Sequence, residues 1–188
     1  MTGAPRLDLT SGWITSGTWS LDDDVKKRLE CALNLIRKGK VLDIGCRDGT
    51  FILTAAKLYP EIEFHGTDTN QTDLDWAMKK ADELGIGNVT FWNDDITNPN
   101  LPLKANFDVV YIMETLEHLP PNLVEAAFGN ARSFIKAGGR IVVSVPANTH
   151  ISDPDHKTVF YREQFQGRLP GLKWVPDCPH IWIMFYID

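Results

Sequence analysis

The chain has 188 residues and a mass of 21.2 kDa, which suits one domain with a three-layer core. Its mean hydropathy is -0.20, and it has no apolar run near the roughly 18 residues that cross a bilayer, so we expect no membrane partner. The net charge of -6 and the pI near 5.3 speak against a nucleic-acid partner, because proteins that bind a phosphate backbone usually present a basic face.

Residues 1–19 predict an irregular N-terminal arm on a single domain that spans 1–188. The arm is rich in Gly, Ser and Thr and lacks the basic and apolar regions of a secretory signal. Trp13 and Trp19 allow two interpretations, a lid over a ligand or aromatic side chains docked on the core. The three cysteines are odd in number and widely spaced, which favours reduced thiols in a cytoplasmic protein over a disulfide framework.

A first helix is predicted to begin at Ser20, which forms a capping-box-like start with Asp23. Apolar residues between 21 and 36 recur at helical spacing and give this helix one apolar face. The dense basic cluster Lys26-Lys27-Arg28 is interpreted as part of the solvated face of the helix rather than as a binding site.

Strand-like and helical segments alternate through the rest of the chain. Strands are predicted at 40–45, 61–68, 88–95, 107–113 and 140–146, and helices at 50–59, 72–85, 121–139 and 161–169. The two last strand segments, "LKWVPD" and "HIWIMFYID", lie only a few residues apart, which permits a hairpin and excludes a parallel crossover. We therefore predict an α/β fold, a Rossmann-like three-layer sandwich whose seven-stranded sheet is mostly parallel with an antiparallel last strand.

The first predicted strand leads into a glycine turn, "VLDIGCRDGTF" at 41–51. The turn lacks the lysine of a P-loop, and Arg47 stands where a dinucleotide fingerprint needs a glycine. The Asp43 carboxylate would also repel a pyrophosphate. S-adenosylmethionine has no phosphate and carries a sulfonium cation and an ammonium group, so it would be attracted by Asp43. The loop therefore favours S-adenosylmethionine over a nucleotide.

Here the sequence resembles the class I S-adenosylmethionine-dependent methyltransferases over nearly its whole length. Their first motif, D/E-x-G-x-G-x-G, matches 43–49 except at Arg47, and "FDVVYIMETLEHL" and "FIKAGGRIVVSVP" resemble later family segments. By the resemblance, Asp68 binds the ribose hydroxyls and Asp95, with Asp94 as the alternative, accepts from the adenine amino group. The resemblance implies cofactor contacts from Asp43, Gly45, Cys46, Gly49, Asp68, Thr69, Asp95, Ile96 and Met113.

Each of these acidic residues also has a purely structural interpretation. Asp43 could cap the following turn, Asp68 could be an ordinary turn aspartate, and the pair Asp94 and Asp95 could simply be solvated. Arg47 has no family role, and we interpret it as an exposed side chain or as an ion-pair partner of Asp48 or another neighbour.

The segment "ETLEH" places Glu114, Glu117 and His118 on one face by i, i+3 and i+4 spacing. Such a set can bind a divalent metal or hold a general base. The E-x-x-E-H motif resembles that of Hen1-type RNA 2′-O-methyltransferases and of some quinone-biosynthesis O-methyltransferases, and "DPDHKTVFYREQF" resembles a Hen1-type segment that adds His156. A metal quartet of Glu114, Glu117, His118 and His156 is therefore one hypothesis, and a pocket wall without a metal is the other.

The sequence thus predicts an S-adenosylmethionine-dependent methyltransferase that methylates an oxygen of a small molecule or glycan. His118 or His156 is the predicted base, and Glu114 and Glu117 complete the predicted catalytic set. A metal-dependent, Hen1-like RNA 2′-O-methyltransferase is the first alternative, although the acidic charge opposes it. A protein that binds the cofactor without catalysis is the second alternative.

Overall fold

The computed structural model describes residues 12–18, 21–37, 39–98, 106–147, 153–178 and 182–188. Within them lies one seven-stranded sheet with the strand order β3-β2-β1-β4-β5-β7-β6. The strands are β1 Lys40–Ile44, β2 Glu63–Asp68, β3 Val89–Asn93, β4 Phe107–Met113, β5 Ile135–Pro146, β6 Leu172–Trp174 and β7 Trp182–Ile187. Strands β1 to β5 pair in parallel, and β7 is antiparallel to both β5 and β6. The predicted fold class, including the antiparallel last strand, is confirmed.

Helices cover the sheet on both faces. They are α1 Asp23–Leu33, α2 Thr50–Leu58, α3 Gln71–Leu84, α4 Pro121–Ser133 and α5 Arg162–Phe165. The side chain of Asp22, which precedes α1, accepts a hydrogen bond from the Val25 N–H, as an N-cap does. The helix therefore begins at Asp23 and not at the predicted Ser20, which, like Trp19, lies outside the described residues. None of the helices in the described ranges is both long and apolar enough to cross a bilayer.

Helix α4 ends earlier than the glycines at 138 and 139 predict. It ends at Ser133, and β5 already begins at Ile135. The cause is Phe134, which is buried and whose carbonyl accepts hydrogen bonds from the N–H groups of Asn106 and Phe107, so the chain joins the sheet there. Helix α5 is likewise shorter than the predicted helix at 161–169.

The two faces of the sheet carry separate apolar clusters. Successive strand residues point to opposite faces, so Val41 packs in the cluster on the side of α1, α2 and α3, while Leu42 packs in the cluster on the side of α4. Asp43 follows the same alternation as Val41 and points towards the face that α1 covers. This alternation brings the carboxylate of β1 and the helix α1 to the same side of the sheet.

Candidate functional site

A cavity of about 1000 Å³ opens at the carboxyl ends of the parallel strands, where α/β sheets bind their ligands. Its lining includes twelve of the thirteen residues that the sequence assigned to the site: Asp43, Gly45, Cys46, Asp68, Thr69, Asp95, Ile96, Met113, Glu114, Glu117, His118 and His156. Gly49 is the exception, because it is not among the residues that line the cavity. It is the residue before α2 and has a left-handed backbone conformation. The predicted site residues therefore meet in one place.

The glycine loop depends on close backbone approach at Gly45. This residue has φ +74°, and a Cβ there would lie 2.2 Å from the Thr115 Oγ1. That hydroxyl donates to the carbonyls of Ile44 and Met113, both at 3.1 Å, and so ties the loop to the end of β4. A larger residue at Gly45 cannot fit without breaking this tie.

Arg47 contributes its backbone rather than its charge to the loop. Its φ of 48° is left-handed, which explains why a glycine is usual at this position of the motif. In this conformation its N–H donates to the Asp68 Oδ2 at 2.8 Å, while the side chain is exposed. The side chain of Arg47 is thus exposed, as the first of its two interpretations predicts, and its positive charge acts on the neighbouring Asp73 of α3, which agrees with the second.

Asp43 is buried, with 3% of its surface exposed. Burial and, to a smaller extent, the negative charge of Asp68 raise the pKa of this carboxyl to about 8, although the positive charge of Arg28 opposes both. Ionising such a buried carboxyl group costs free energy unless a further positive charge lies next to it. A cationic ligand in the cavity would restore the charged form.

The two acids after β2 and β3 have local partners. Asp68 accepts one N–H per oxygen, from Arg47 and from Asn70, both at 2.8 Å. Asp95 Oδ1 accepts from the N–H and the hydroxyl of Thr97, both at 2.8 Å, and Asp94 Oδ1 accepts from the Asp95 N–H. Both Asp94 and Asp95 line the cavity, so the choice between them for adenine stays a prediction.

Residues 12–18, the described part of the N-terminal arm, are docked on the domain beside the glycine loop. Trp13 packs against the apolar cluster under α1 and α2, and the Ile14 N–H donates to the Thr54 hydroxyl at 3.1 Å. The Asp48 Oδ2 accepts from the N–H and from the hydroxyl of Ser16, at 3.0 and 2.5 Å. These contacts favour the docked interpretation of Trp13 over the lid.

Arg28 enters the cavity from α1, and its interpretation as a solvated residue is wrong. It is 4% exposed, and its Nη1 forms an ion pair with the Glu114 Oε1 at 3.0 Å. The signal was present in the sequence, since Arg28 is three residues after Val25 and four before Ala32, both on the buried face of the helix. A charge at a core-facing helical position needs a buried partner.

Glu117 is the most isolated polar group among the described residues of the site. It lies in a one-turn 3₁₀ helix, Leu116–His118, is 1% exposed, and neither carboxylate oxygen has a hydrogen-bond donor within range there. Burial, together with the negative charge of Glu114, raises the pKa of Glu117 well above its usual range. A buried carboxylate without a donor is a group that a bound cation would satisfy.

Two histidines lie next to Glu117. Ligand atoms of Glu117, His118 and His156 all lie within 4.8 Å of one another. The loop that carries His156 is fastened to the 3₁₀ helix, because the N–H groups of Lys157 and Thr158 donate to the Glu117 carbonyl at 2.7 and 3.0 Å. One carboxylate and two imidazoles are ligands that a divalent transition metal accepts, so the residues present fit such an ion.

Glu114 is not part of this three-residue cluster. Its carboxylate instead accepts from the Ser144 hydroxyl at 2.8 Å and pairs with Arg28. The structure therefore brings together three members of the predicted metal quartet and gives the fourth a different partner.

Comparison with known proteins supplies the remaining evidence. A family described as "Methyltransferase domain" matches residues 41–139, which is more than half of the chain. The curated relatives include an aklanonic acid methyltransferase of Streptomyces sp. (strain C5), 31% identical over 74% of this chain and 63% of the relative. A ubiquinone biosynthesis O-methyltransferase of Proteus mirabilis is 31% identical over 56% of this chain and 41% of the relative. N-methyltransferase 4 of Papaver somniferum is 27% identical over 48% of this chain and 26% of the relative.

The chain thus spans less than two thirds of the length of each of these relatives. Among solved structures, the YcgJ protein of Bacillus subtilis aligns with a TM-score of 0.63 and 22% identity over 74% of this chain and 64% of its own. A coclaurine N-methyltransferase bound to N-methylheliamine and SAH aligns with a TM-score of 0.59 and 19% identity over 76% of this chain and 44% of its own. At these identities the two structures show that the fold is shared.

Proposed function

Because this chain belongs to the class I S-adenosylmethionine-dependent methyltransferases, we propose that it binds that cofactor in the cavity and methylates an oxygen of a small-molecule or glycan acceptor. The observation that carries the proposal is the buried Asp43 carboxylate beside the glycine loop. A negative group at this position opposes a pyrophosphate and suits the sulfonium and ammonium charges of S-adenosylmethionine.

The other cofactor contacts follow from the order of the strands. Asp68, at the end of β2, has two acceptor oxygens, which suit the two hydroxyls of a ribose. Asp95 and Ile96 follow β3: the Asp95 carboxylate would accept from the adenine amino group, and the backbone N–H of Ile96 would donate to the ring. Each contact is assigned by position, and each can be tested separately by substitution.

The charge of the lining supports a small acceptor rather than RNA. Besides the residues already described, four aspartates line the cavity on the sides of α1 and of the loop after β5: Asp22, Asp24, Asp153 and Asp155. Such a lining repels phosphate groups, whereas it is compatible with a neutral or cationic acceptor. The relatives named for aklanonic acid and for ubiquinone biosynthesis act on small molecules, which agrees with this proposal.

Methyl transfer is an in-line displacement, so the protein has to align the acceptor oxygen with the C–S bond and exclude water. The oxygen forms a bond to the methyl carbon, the C–S bond breaks, and its electron pair returns to sulfur, which leaves S-adenosylhomocysteine. His118 can accept the hydroxyl proton at Nε2, because its Nδ1–H donates to the Asp155 carbonyl at 3.3 Å. His156 is the alternative base, since its ring lies 5.0 Å from that of His118.

The same cluster can serve the reaction in a second way. Glu117, His118 and His156 would hold a divalent cation, and such an ion supplies Lewis acidity that lowers the pKa of an acceptor hydroxyl. In that case Glu117 supplies the negative charge, and the two imidazoles must both be neutral to bind. The metal-dependent RNA 2′-O-methyltransferase alternative shares this cluster, but the acidic lining of the cavity speaks against it.

The experiment is calorimetric titration of the chain with S-adenosylmethionine, S-adenosylhomocysteine and NAD. We expect the first two to bind and NAD to give no heat of binding. A screen of hydroxylated acceptors with and without Mn²⁺, read as S-adenosylhomocysteine formed, then tests the reaction. Binding of NAD in place of S-adenosylmethionine would refute the cofactor assignment, and turnover only with RNA would refute the acceptor class.

A further inference from the structure

Arg28 lies outside the segment that the family matches, in a helix that precedes it. Helix α1 carries this residue into the cavity, on the side that we propose for the acceptor (the acceptor side), where Glu117, His118 and His156 also lie. There the guanidinium contacts Glu114, which follows β4, and Ser144 of β5. Its Nη1 lies 3.0 Å from the Glu114 Oε1 and 3.4 Å from the Ser144 Oγ. No part of the proposed reaction yet uses this residue.

The guanidinium lies among three carboxyl groups, of which Asp43 and Glu117 are buried and Glu114 is half-buried. Its positive charge lowers the pKa of Asp43, Glu114 and Glu117, and in each case it opposes the effect of burial. Two of these groups, Glu114 and Glu117, also repel each other, so the acceptor side would hold two negative charges in a small volume. Arg28 is therefore the positive charge that lets these carboxylates be buried together.

Glu114 is held in a specific conformation by the same contacts. Its φ of 52° is left-handed and unfavourable for a residue with a Cβ, so the surrounding structure must enforce it. Its N–H donates to the Ser144 carbonyl at 3.0 Å, and the Ser144 hydroxyl donates to its carboxylate at 2.8 Å. Together with Arg28, these bonds hold the Glu114 Oε1 next to the Glu117–His118–His156 cluster, and Glu114 is not among the groups whose ligand atoms all lie within 4.8 Å of one another.

We propose that Arg28 is a positioning residue that engages Glu114, so that a cation on this side of the cavity is bound by Glu117, His118 and His156 alone. This inference rests on the proposed metal role of that cluster. A three-residue set leaves coordination positions open for an acceptor oxygen, as catalytic metal sites do. With Arg28 absent, Glu114 would be a fourth ligand and the second anionic one, so the cation would be bound more tightly and would be a weaker Lewis acid towards the acceptor.

The test measures Mn²⁺ binding and S-adenosylhomocysteine binding separately, by calorimetry on the full chain. For Arg28→Met we expect Mn²⁺ to bind about tenfold more tightly, because a compensating positive charge is lost next to two carboxylates. We expect turnover to fall by at least about tenfold in the same variant, because a second carboxylate on the ion would neutralise more of its charge and weaken its Lewis acidity towards the acceptor hydroxyl. A merely structural role for Arg28 would instead weaken Mn²⁺ binding as the site loosened.

Three further variants separate charge from packing. Arg28→Lys keeps the charge and should keep Mn²⁺ affinity within about threefold of the parent. In Arg28→Met/Glu114→Gln the gain in affinity should disappear, because Glu114 can no longer supply a negative ligand. Lys27→Met removes the same charge from the exposed neighbouring position and should change neither affinity.

If Arg28→Met does not fold, Ser144→Ala tests the same inference, since it removes one of the bonds that hold Glu114. It should tighten Mn²⁺ binding about two- to threefold, because it frees Glu114 less completely.

The outcomes distinguish this inference from the proposed metal role. If the parent binds Mn²⁺ and the variants bind it equally or more weakly, the Arg28 inference is wrong and the metal role stands. If the parent binds no Mn²⁺ but Arg28→Met does, the proposed metal role is wrong, and Arg28 prevents cation binding instead of limiting it to three residues. If neither binds, both are wrong.

Discussion

The two halves of the cavity are held together by different kinds of contact. In the half that we propose for the cofactor (the cofactor half), which is formed by the ends of β1, β2 and β3, main-chain N–H groups and left-handed backbone set the geometry, as at Arg47 and Asp68. In the acceptor half, which contains Glu114, Glu117, His118 and His156, side chains from distant parts of the chain meet around buried charge. We therefore expect a substitution in the cofactor half to affect mainly the contacts of the residue that is changed. A substitution in the acceptor half should also affect the other charged groups around it.

The largest expected effect is on the acceptor half. Glu117→Gln removes the negative charge of the cluster but keeps its shape, and we expect turnover to fall by about 100-fold or more. Affinity for S-adenosylhomocysteine should stay within about twofold, because the substitution leaves the cofactor half intact. Initial rates and calorimetry measure the two quantities.

The matched control is Glu125→Gln, which makes the same change at an exposed position on α4. It should leave both quantities unchanged. Equal losses of turnover and of cofactor affinity in Glu117→Gln would contradict the division of the cavity into two halves.

The second effect belongs to the cofactor half. Asp43→Asn keeps the size of the side chain and removes its charge, so S-adenosylmethionine should bind about tenfold to 100-fold more weakly, as expected for a lost charge-assisted contact. The uncharged thioether S-adenosylhomocysteine lacks the sulfonium and should lose less. Asp82→Asn, an exposed position on α3, is the control. Equal losses for both ligands would show that Asp43 does not respond to the sulfonium charge.

Much of the fold and of the cofactor half could be predicted from the sequence because their signals are local. Asp43, Gly45 and Gly49 lie within seven residues of one another, and the alternation of strands and helices determines where their loop lies. The end of α4 could not be predicted in the same way, since the burial of Phe134 overrode the two glycines.

The acceptor half was predicted less completely because its partners are far apart in the chain. Glu114, Glu117 and His118 were visible as a motif, but the motif does not indicate that Glu114 pairs with Arg28, 86 residues earlier, or with Ser144. Arg28 was assigned to solvent because it stands in a run of basic residues. Whether a charge is buried depends on what packs against it, and that information is not local.

The third prediction is that the affinity of the cofactor half for S-adenosylmethionine depends on pH. The pKa of Asp43 is raised to about 8 by burial and by Asp68, and a cationic ligand should lower it, so binding must release a proton below pH 8. Affinity for S-adenosylmethionine should therefore rise by up to about tenfold per pH unit below pH 8 and level off above it. Calorimetry in two buffers of different ionisation enthalpy measures the released proton. Asp43→Asn should remove this slope, and its persistence there would assign the proton to another group.

The smallest effect is expected where the arm meets the glycine loop. Ser16→Ala removes the hydroxyl that donates to the buried Asp48, but the Ser16 N–H can still donate to the same oxygen. The free energy of unfolding should fall by about 1 kcal/mol, which corresponds to a drop of roughly 2–4 °C in melting temperature for a chain of this size. Ser133→Ala, whose hydroxyl bond on α4 is exposed, should cost less than half as much.

The same variant decides what the docked arm contributes to the cofactor half. Asp48 lies in the glycine loop, and its other oxygen accepts from the N–H and the hydroxyl of Thr50 in the first turn of α2, so the loop stays anchored when Ser16 is changed. Affinity for S-adenosylmethionine should therefore change by less than about twofold. A larger loss of affinity, with stability unchanged, would mean that the arm acts on the ligand itself, and the lid interpretation of Trp13 would then replace the docked one.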